Sequence, residues 1–230
     1  MFPQERFDNA AAEVDQVIKL GGVEHGRVLD MACGPGRHSV ELSRKGFEVT
    51  GVDRSGFLLD HARRHGESEG LGVEWLEDDM RRFRRPATYD LALSLYTSLG
   101  FFEREEDNQA VLENLQVSLK SGGRCVLDVL GREVLARKFA PCEVKELEGG
   151  SVLVQRRAVT DDWTRVQTEW IEIREAEVER FGFRIWIYSG SELRRMLLEA
   201  GFGSVSLYGS FEGAPYDVEA GRLVAVARKP

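Results

Sequence analysis

The chain has 230 residues, enough for one generous domain whose core needs neither a disulfide framework nor a metal. Apolar residues make up 42% and charged residues 30%, the balance of an ordinary soluble globular protein, which excludes the disordered and membrane classes. A formal net charge of -8 argues against a broad phosphate-binding face and so against a nucleic-acid partner, because such binding draws its affinity from Lys and Arg.

The N-terminal "MFPQERFDNAAAEV" has no apolar signal core, and no apolar run is long enough to cross a bilayer. Val14, Val17, Ile18 and Leu20 follow helical spacing, which predicts a helix over 10–20 that stops at Gly21 and Gly22. An alternation follows: strand 27–33, helix 37–45, strand 48–53, helix 57–65, strands 73–77 and 90–96, helix 108–119 and strand 124–130. Runs such as "VLDMA" and "CVLDVL" are almost wholly apolar, as expected of parallel strands covered by helices on both faces. The basic "RRFRRP" at Arg81 to Pro86 reads as a solvated loop.

After Leu130 come four β-rich runs, "EVKELE", "SVLVQRRAV", "RVQTEWIEI" and "VERFGFRIWIY", with "EGGS" and "TDDWT" as turns. They predict an antiparallel insertion over 142–189 within a single domain of 1–230. In the last run Phe181, Phe183, Ile185 and Ile187 share one face, and Arg184, Trp186 and Tyr188 the other. The chain returns to a helix, "SGSELRRMLLEAGF", with Ser191 as its expected cap and Gly201 as its stop, then to the strands "SVSLYG" and "RLVAVARK". Cys33, Cys125 and Cys142 have no metal-like spacing and leave one over, so neither a metal site nor a disulfide framework is expected; this usage fits a reducing cytoplasm.

The stretch "VLDMACGPGRHSVELSRKGFEVTGVD", residues 28–53, places Gly34 and Gly36 between a strand and a helix, where backbone amides and the positive helix end can approach a ligand. Asp53 ends the second strand, where a carboxylate can accept two hydrogen bonds from a ribose diol. A G-x-G turn of this kind also serves nicotinamide enzymes. The dinucleotide form wants Gly or Ala three residues after the second glycine, and Ser39 stands there instead. His38, in the first helical turn, reads as a packing or capping residue.

With "DDM" at 78–80 and "YDLALSLYTSLGFFEREEDNQAVLENLQVSLKSGGRCVLDVL" at 89–130, the chain resembles the class I S-adenosylmethionine-dependent methyltransferases over nearly its whole length. It is similar in particular to small-molecule members with a β insertion after the fifth strand. The resemblance implies a Rossmann-like α/β sheet of seven strands in the order 3-2-1-4-5-7-6, the last strand antiparallel. It further implies S-adenosyl-L-methionine as cofactor, with Asp30, Ala32, Gly34 and Gly36 bordering its methionine part and Asp53, beside Arg54, holding the ribose. Asp79 and Met80 would contact adenine, and Leu95 and Tyr96 would close the methionine side. The family more often has glycine at the position of Ala32, and arginine where Trp186 stands.

The expected reaction is an in-line displacement that moves a methyl group to an N or O atom of a small-molecule acceptor. Tyr96, Arg184, Trp186 and Tyr188 are the expected acceptor-binding residues, with Tyr96 and Tyr188 nearest the chemistry and the insertion acting as a lid over the methyl end. RNA or protein methylation, and a cofactor-binding module without catalysis, are the competing readings. The sequence leaves the acceptor and the oligomeric state open.

Overall fold

The computed structural model describes residues 7–147, 149–175 and 177–230. Glu148, in the first predicted turn of the insertion, lies outside them. Helix α1 (Ala10–Gly21) leads into the alternating part: β1 (Arg27–Met31), α2 (Arg37–Arg44), β2 (Glu48–Asp53), α3 (Gly56–Ser68), β3 (Val73–Glu77), β4 (Tyr89–Ser94), α4 (Glu105–Ser118) and β5 (Leu119–Val129). A short helix, α5 (Arg132–Lys138), precedes the insertion strands β6 (Cys142–Glu146), β7 (Val152–Thr160), β8 (Arg165–Arg174) and β9 (Glu177–Trp186). Helix α6 (Gly190–Glu199) and strands β10 (Ser204–Tyr208) and β11 (Leu223–Arg228) close the chain.

The main sheet has seven strands in the order β10-β11-β5-β4-β1-β2-β3. Strand β11 runs antiparallel to both β5 and β10, and the remaining pairs are parallel. Numbered within this sheet alone, the order is 3-2-1-4-5-7-6, as the resemblance implies. Successive strand residues are buried in two different clusters. Leu29, Ala92 and Leu127 pack with Val111, Leu112 and Leu193 of α4 and α6, whereas Val28, Leu91, Leu93 and Val126 pack with Val14, Val17 and Leu42 of α1 and α2. Burial on both faces is what makes these strands read as unbroken apolar runs.

The insertion is a four-stranded antiparallel meander, β6-β7-β8-β9, with β6 and β9 at its edges. A small core of Leu135, Val166, Ile185 and Ile187 lies between it and α5. Ile185 and Ile187 thus sit on the packed face expected of them, but Phe181, on the same face, is exposed. The β7–β8 turn carries positive φ at Asp161, Asp162 and Trp163.

Two expectations are corrected, and one helix was not expected. The cap of α6 is Ser189 and not Ser191: the Glu192 amide donates to Ser189 Oγ at 3.2 Å, and the Ser189 amide donates to Glu192 Oε2 at 2.8 Å, a reciprocal pair that fixes the start two residues earlier. Gly201 does follow the helix, at φ 96, with its amide donating to Leu198 O. Strand β5 starts at Leu119, inside the helix expected over 108–119 and ahead of the strand expected from 124, because Leu119 pairs with Tyr89 before the register shifts between Tyr89 and Leu91. Helix α5 has no sequence-level signal beyond two buried apolar residues, Val134 and Leu135, and a glycine cap with no side chain to announce it.

Candidate active site

The strand-to-helix turn after β1 uses its two glycines differently. Both have left-handed backbones, at φ 57 for Gly34 and 78 for Gly36. A side chain at Gly36 would come within 2.5 Å of Trp75 and 2.7 Å of Ala62, so this glycine lets β3 and α3 pack against the turn. At Gly34 no atom of the described residues lies within 4 Å of such an atom. Gly34 therefore presents bare backbone to open space, as a ligand-facing turn requires.

Asp53, at the end of β2, completes that surface. Its Oδ2 accepts from the Gly34 amide at 2.8 Å and its Oδ1 from the Ser55 amide at 2.9 Å. Two carboxylate oxygens have about four acceptor sites, so the capacity for two hydroxyl donors remains. Asp30 is buried and takes a hydrogen bond from Ser39 Oγ at 2.6 Å, and burial raises its pKa. Arg54 is exposed beside Asp53.

Ala32 has φ 60, a region that costs a residue with a Cβ about 1–2 kcal/mol. Ala32→Gly should remove that strain. After the added chain entropy of glycine, a net gain of up to about 1 kcal/mol remains, worth roughly 2–4 °C in Tm for a chain of this size. Scanning calorimetry checks it, and a lowered Tm would show that the alanine methyl packs productively.

At the end of β3, the Asp79 carboxylate is gripped by Arg81, with Nη2 2.5 Å from Oδ2 and the Arg81 amide 2.9 Å from Oδ1. The Arg81 hydrogen bonds hold its pKa down at about 2. Asp79, Arg81, Arg82 and Asp107 line an open cavity of 440 Å³. Met80 packs on the α4-side core, and its carbonyl accepts from Asn114 Nδ2 at 3.1 Å.

Past β4, buried Leu95 precedes Tyr96, whose φ is 58. The Tyr96 hydroxyl donates to Glu13 of α1. Glu13 also accepts from Arg37 Nη1 at 2.6 Å and meets His38 Nε2 at 2.8 Å. Burial raises the Glu13 pKa, but the hydrogen bonds from His38 and Tyr96 and the charge of Arg37 outweigh it and hold the group at about 2. The Arg37 and Arg222 guanidiniums lie over the Tyr96 ring at 4.2 and 4.6 Å. Buried Asp128, near the end of β5, accepts from the Tyr96 amide at 2.9 Å and from Arg222 Nη1 at 2.8 Å.

The sheet order, the turn and the strand-end carboxylates recur in known proteins. Residues 28–123 match the methyltransferase-domain family. The chain is 28% identical to the glycine/sarcosine N-methyltransferase of Aphanothece halophytica, over 90% of this chain and 78% of that protein. Its fold is shared by the CcbJ methyltransferase of Streptomyces caelestis, with a TM-score of 0.82 at 20% identity over 96% and 89% of the two chains. The S-adenosylmethionine-bound amino pentose methyltransferase CalS10 of Micromonospora echinaspora shares it too, with a TM-score of 0.72 at 22% identity over 97% and 91%.

Residues 28–123 form a methyltransferase domain, and the chain as a whole has the fold of S-adenosylmethionine-dependent methyltransferases. The turn would suit S-adenosylmethionine: its backbone is open at Gly34, and Asp53 at the end of β2 keeps acceptor capacity beside it.

The insertion residues Arg184, Trp186 and Tyr188 make contacts within the protein. Arg184 is exposed and paired with Glu103 at 2.6 Å. The Trp186 indole donates to Phe102 O at 2.9 Å and lies 4.0 Å from the Arg165 guanidinium. The Trp186 amide donates to Gly100 O at 2.8 Å, so the end of β9 docks on residues 100–103. Tyr188 packs in the α4-side cluster, whereas Tyr96 packs with Phe211 and Leu95 on the α1 side; the structure does not bring the two tyrosines together.

Tyr188 is only 3% exposed, and its hydroxyl has no hydrogen-bond partner among the described residues. Burying an unpaired hydroxyl costs about 1–3 kcal/mol. Tyr188→Phe should accordingly leave the unfolding free energy unchanged or raise it by up to about 1 kcal/mol; urea denaturation that shows a loss of that size would reveal a partner. The network of Glu13, Arg37, Asp128 and Arg222 had no signature in the sequence, because its members come from α1, α2, β5 and the segment before β11 and meet only in the folded chain.

Proposed function

We propose that this methyltransferase methylates a nitrogen or oxygen atom of a small-molecule acceptor. The observation that carries the reading is the placement of Gly34 and Asp53 at the carboxyl edge of a sheet whose β11 lies antiparallel between β5 and β10. The acidic charge of the chain and the small-molecule acceptors named in its relatives support the same conclusion.

When bound, S-adenosylmethionine supplies a methyl group already activated on a positively charged sulfur. Gly34 would offer it backbone, Asp53 would accept from the ribose hydroxyls, and Asp79 with Met80 would border the adenine. Alignment and exclusion of water then carry most of the acceleration, and no covalent nucleophile is needed. Burial, and then the hydrogen bond to Glu13, raise the Tyr96 pKa; Tyr188 is raised by burial first. Both phenols stay protonated at neutral pH, so Tyr96 orients and packs and does not take a proton.

Thermal shift tests the cofactor assignment against the nicotinamide alternative, since a ligand bound by the folded state raises the midpoint. A rise with S-adenosylmethionine and none with NAD is expected. The reverse pattern would overturn the reading.

A further inference from the structure

We propose that Arg81 is a positioning residue that gates the adenine pocket: its guanidinium leaves Asp79 before adenine can hydrogen-bond there, and swings onto Asp107 as it leaves. The proposal rests on the reading that Asp79 borders the adenine of S-adenosylmethionine.

Hydrogen-bond capacity comes first. A carboxylate offers about four acceptor sites. Asp79 Oδ1 accepts from the Arg81 amide at 2.9 Å and from Arg81 Nε at 3.0 Å, while Oδ2 accepts from Nε at 3.1 Å and from Nη2 at 2.5 Å. The whole carboxylate is thus committed to one residue. Asp53, by contrast, accepts from two backbone amides and keeps capacity for more. The amino group of adenine is a donor, so Asp79 takes it only when the guanidinium withdraws. The Arg81 amide stays, because it belongs to a turn closed by the Arg82 and Phe83 amides on Asp79 O.

The guanidinium has a second partner within reach. Arg81 Nη1 lies 3.6 Å from Asp107 Oδ2, in the first turn of α4, and the guanidinium carbon is 5.0 Å from the centre of the Phe102 ring. Among the described residues Asp107 has no other cation within 4 Å. The Arg81 side chain is 42% exposed, which leaves it room to rotate and makes its pair with Asp79 one that a ligand can break. Rotation exchanges one carboxylate for another, so the cation keeps a partner throughout.

The swing reaches beyond the pocket. Phe102 packs on the α4-side core, and its carbonyl accepts from the Trp186 indole of β9. A guanidinium held on Asp107 bears on Phe102, and through it on the segment where the insertion docks. Filling of the adenine pocket is thereby felt at the insertion.

Calorimetry with S-adenosylhomocysteine tests the gate. Arg81→Met keeps an apolar stem over Phe102 and removes every side-chain donor, so Kd should fall at least about threefold. Asp107→Asn takes away the second partner: Kd should rise at least about threefold in the parent and stay unchanged in the Arg81→Met background, a coupling that a merely structural role does not produce. In isotope-labelled parent protein the Arg81 Nε–H resonance, identified by its loss in Arg81→Met, should shift as S-adenosylhomocysteine saturates the site. Unchanged or weaker binding in Arg81→Met, an equal effect of Asp107→Asn in both backgrounds, or an Nε–H resonance that stays still would overturn the gate and leave the cofactor reading intact. Asp79→Ala with Kd unchanged in both Arg81 backgrounds would overturn the gate together with the adenine placement. Failure of the parent to bind S-adenosylhomocysteine would overturn the cofactor reading as well.

Discussion

Asp53→Ala is expected to weaken S-adenosylmethionine binding by about 2–4 kcal/mol, because it removes a charged acceptor from two hydroxyl donors. In calorimetry this is roughly a 30- to 1000-fold rise in Kd. The structure adds a second route to the loss, since the same carboxylate holds the Gly34 and Ser55 amides and so sets the turn. Asp53→Asn keeps one acceptor oxygen and should fall between the parent and the alanine variant. A Kd within twofold of the parent, in an alanine variant of unchanged stability, would place the ribose elsewhere.

Glu13→Ala should be the most destabilising single change at the carboxyl edge. Glu13 and its partner Arg37 have side chains only 14% and 7% exposed. Removing one member of a buried ion pair costs about 3–5 kcal/mol. For a chain of this size the fall in Tm is on the order of 10 °C. The effect also has a pH signature. The folded pKa is depressed to about 2 from an ordinary 4.5, so the stabilisation is complete above the unfolded value and is lost as pH falls toward 2. Parent and variant should therefore differ fully at pH 6 and converge on acidification. A difference independent of pH between 6 and 3 would mean that Glu13 acts through packing and not through its charge.

The alternating part of the chain was legible because each strand is buried on two faces and each helix on one, which leaves apolar runs and helical spacing in plain view at Val28, Leu29, Leu91, Leu93 and Val126. Asp53 stood out in the sequence because it is the acid that closes an apolar strand downstream of a glycine turn. Gly34 and Gly36 looked equivalent in sequence, and only the positions of Trp75 and Ala62 separate the glycine with open space before it from the packing one. The period-two pattern of β9 correctly assigned Ile185 and Ile187 to one face, but it could not say what the other face would meet. Trp186 found backbone at Gly100 and Phe102, contacts made across more than eighty residues of chain. Glu13 was hidden for the same reason, since one acid on an amphipathic helix looks like any other solvated charge.

The insertion sheet has two open edges, and an open edge is a template on which another chain can add a strand. Strand β6 answers this with composition: Glu143, Lys145 and Glu146 stand within five residues, around an exposed Val144. At the other side the end of β9 is covered by Gly100, and the uncovered stretch carries Glu177, Glu179 and Arg180. A parallel, in-register addition of a second copy at either edge would set each of these charges against its own kind, so the charges that look unassigned in the meander work against stacking copies of it edge to edge in that register.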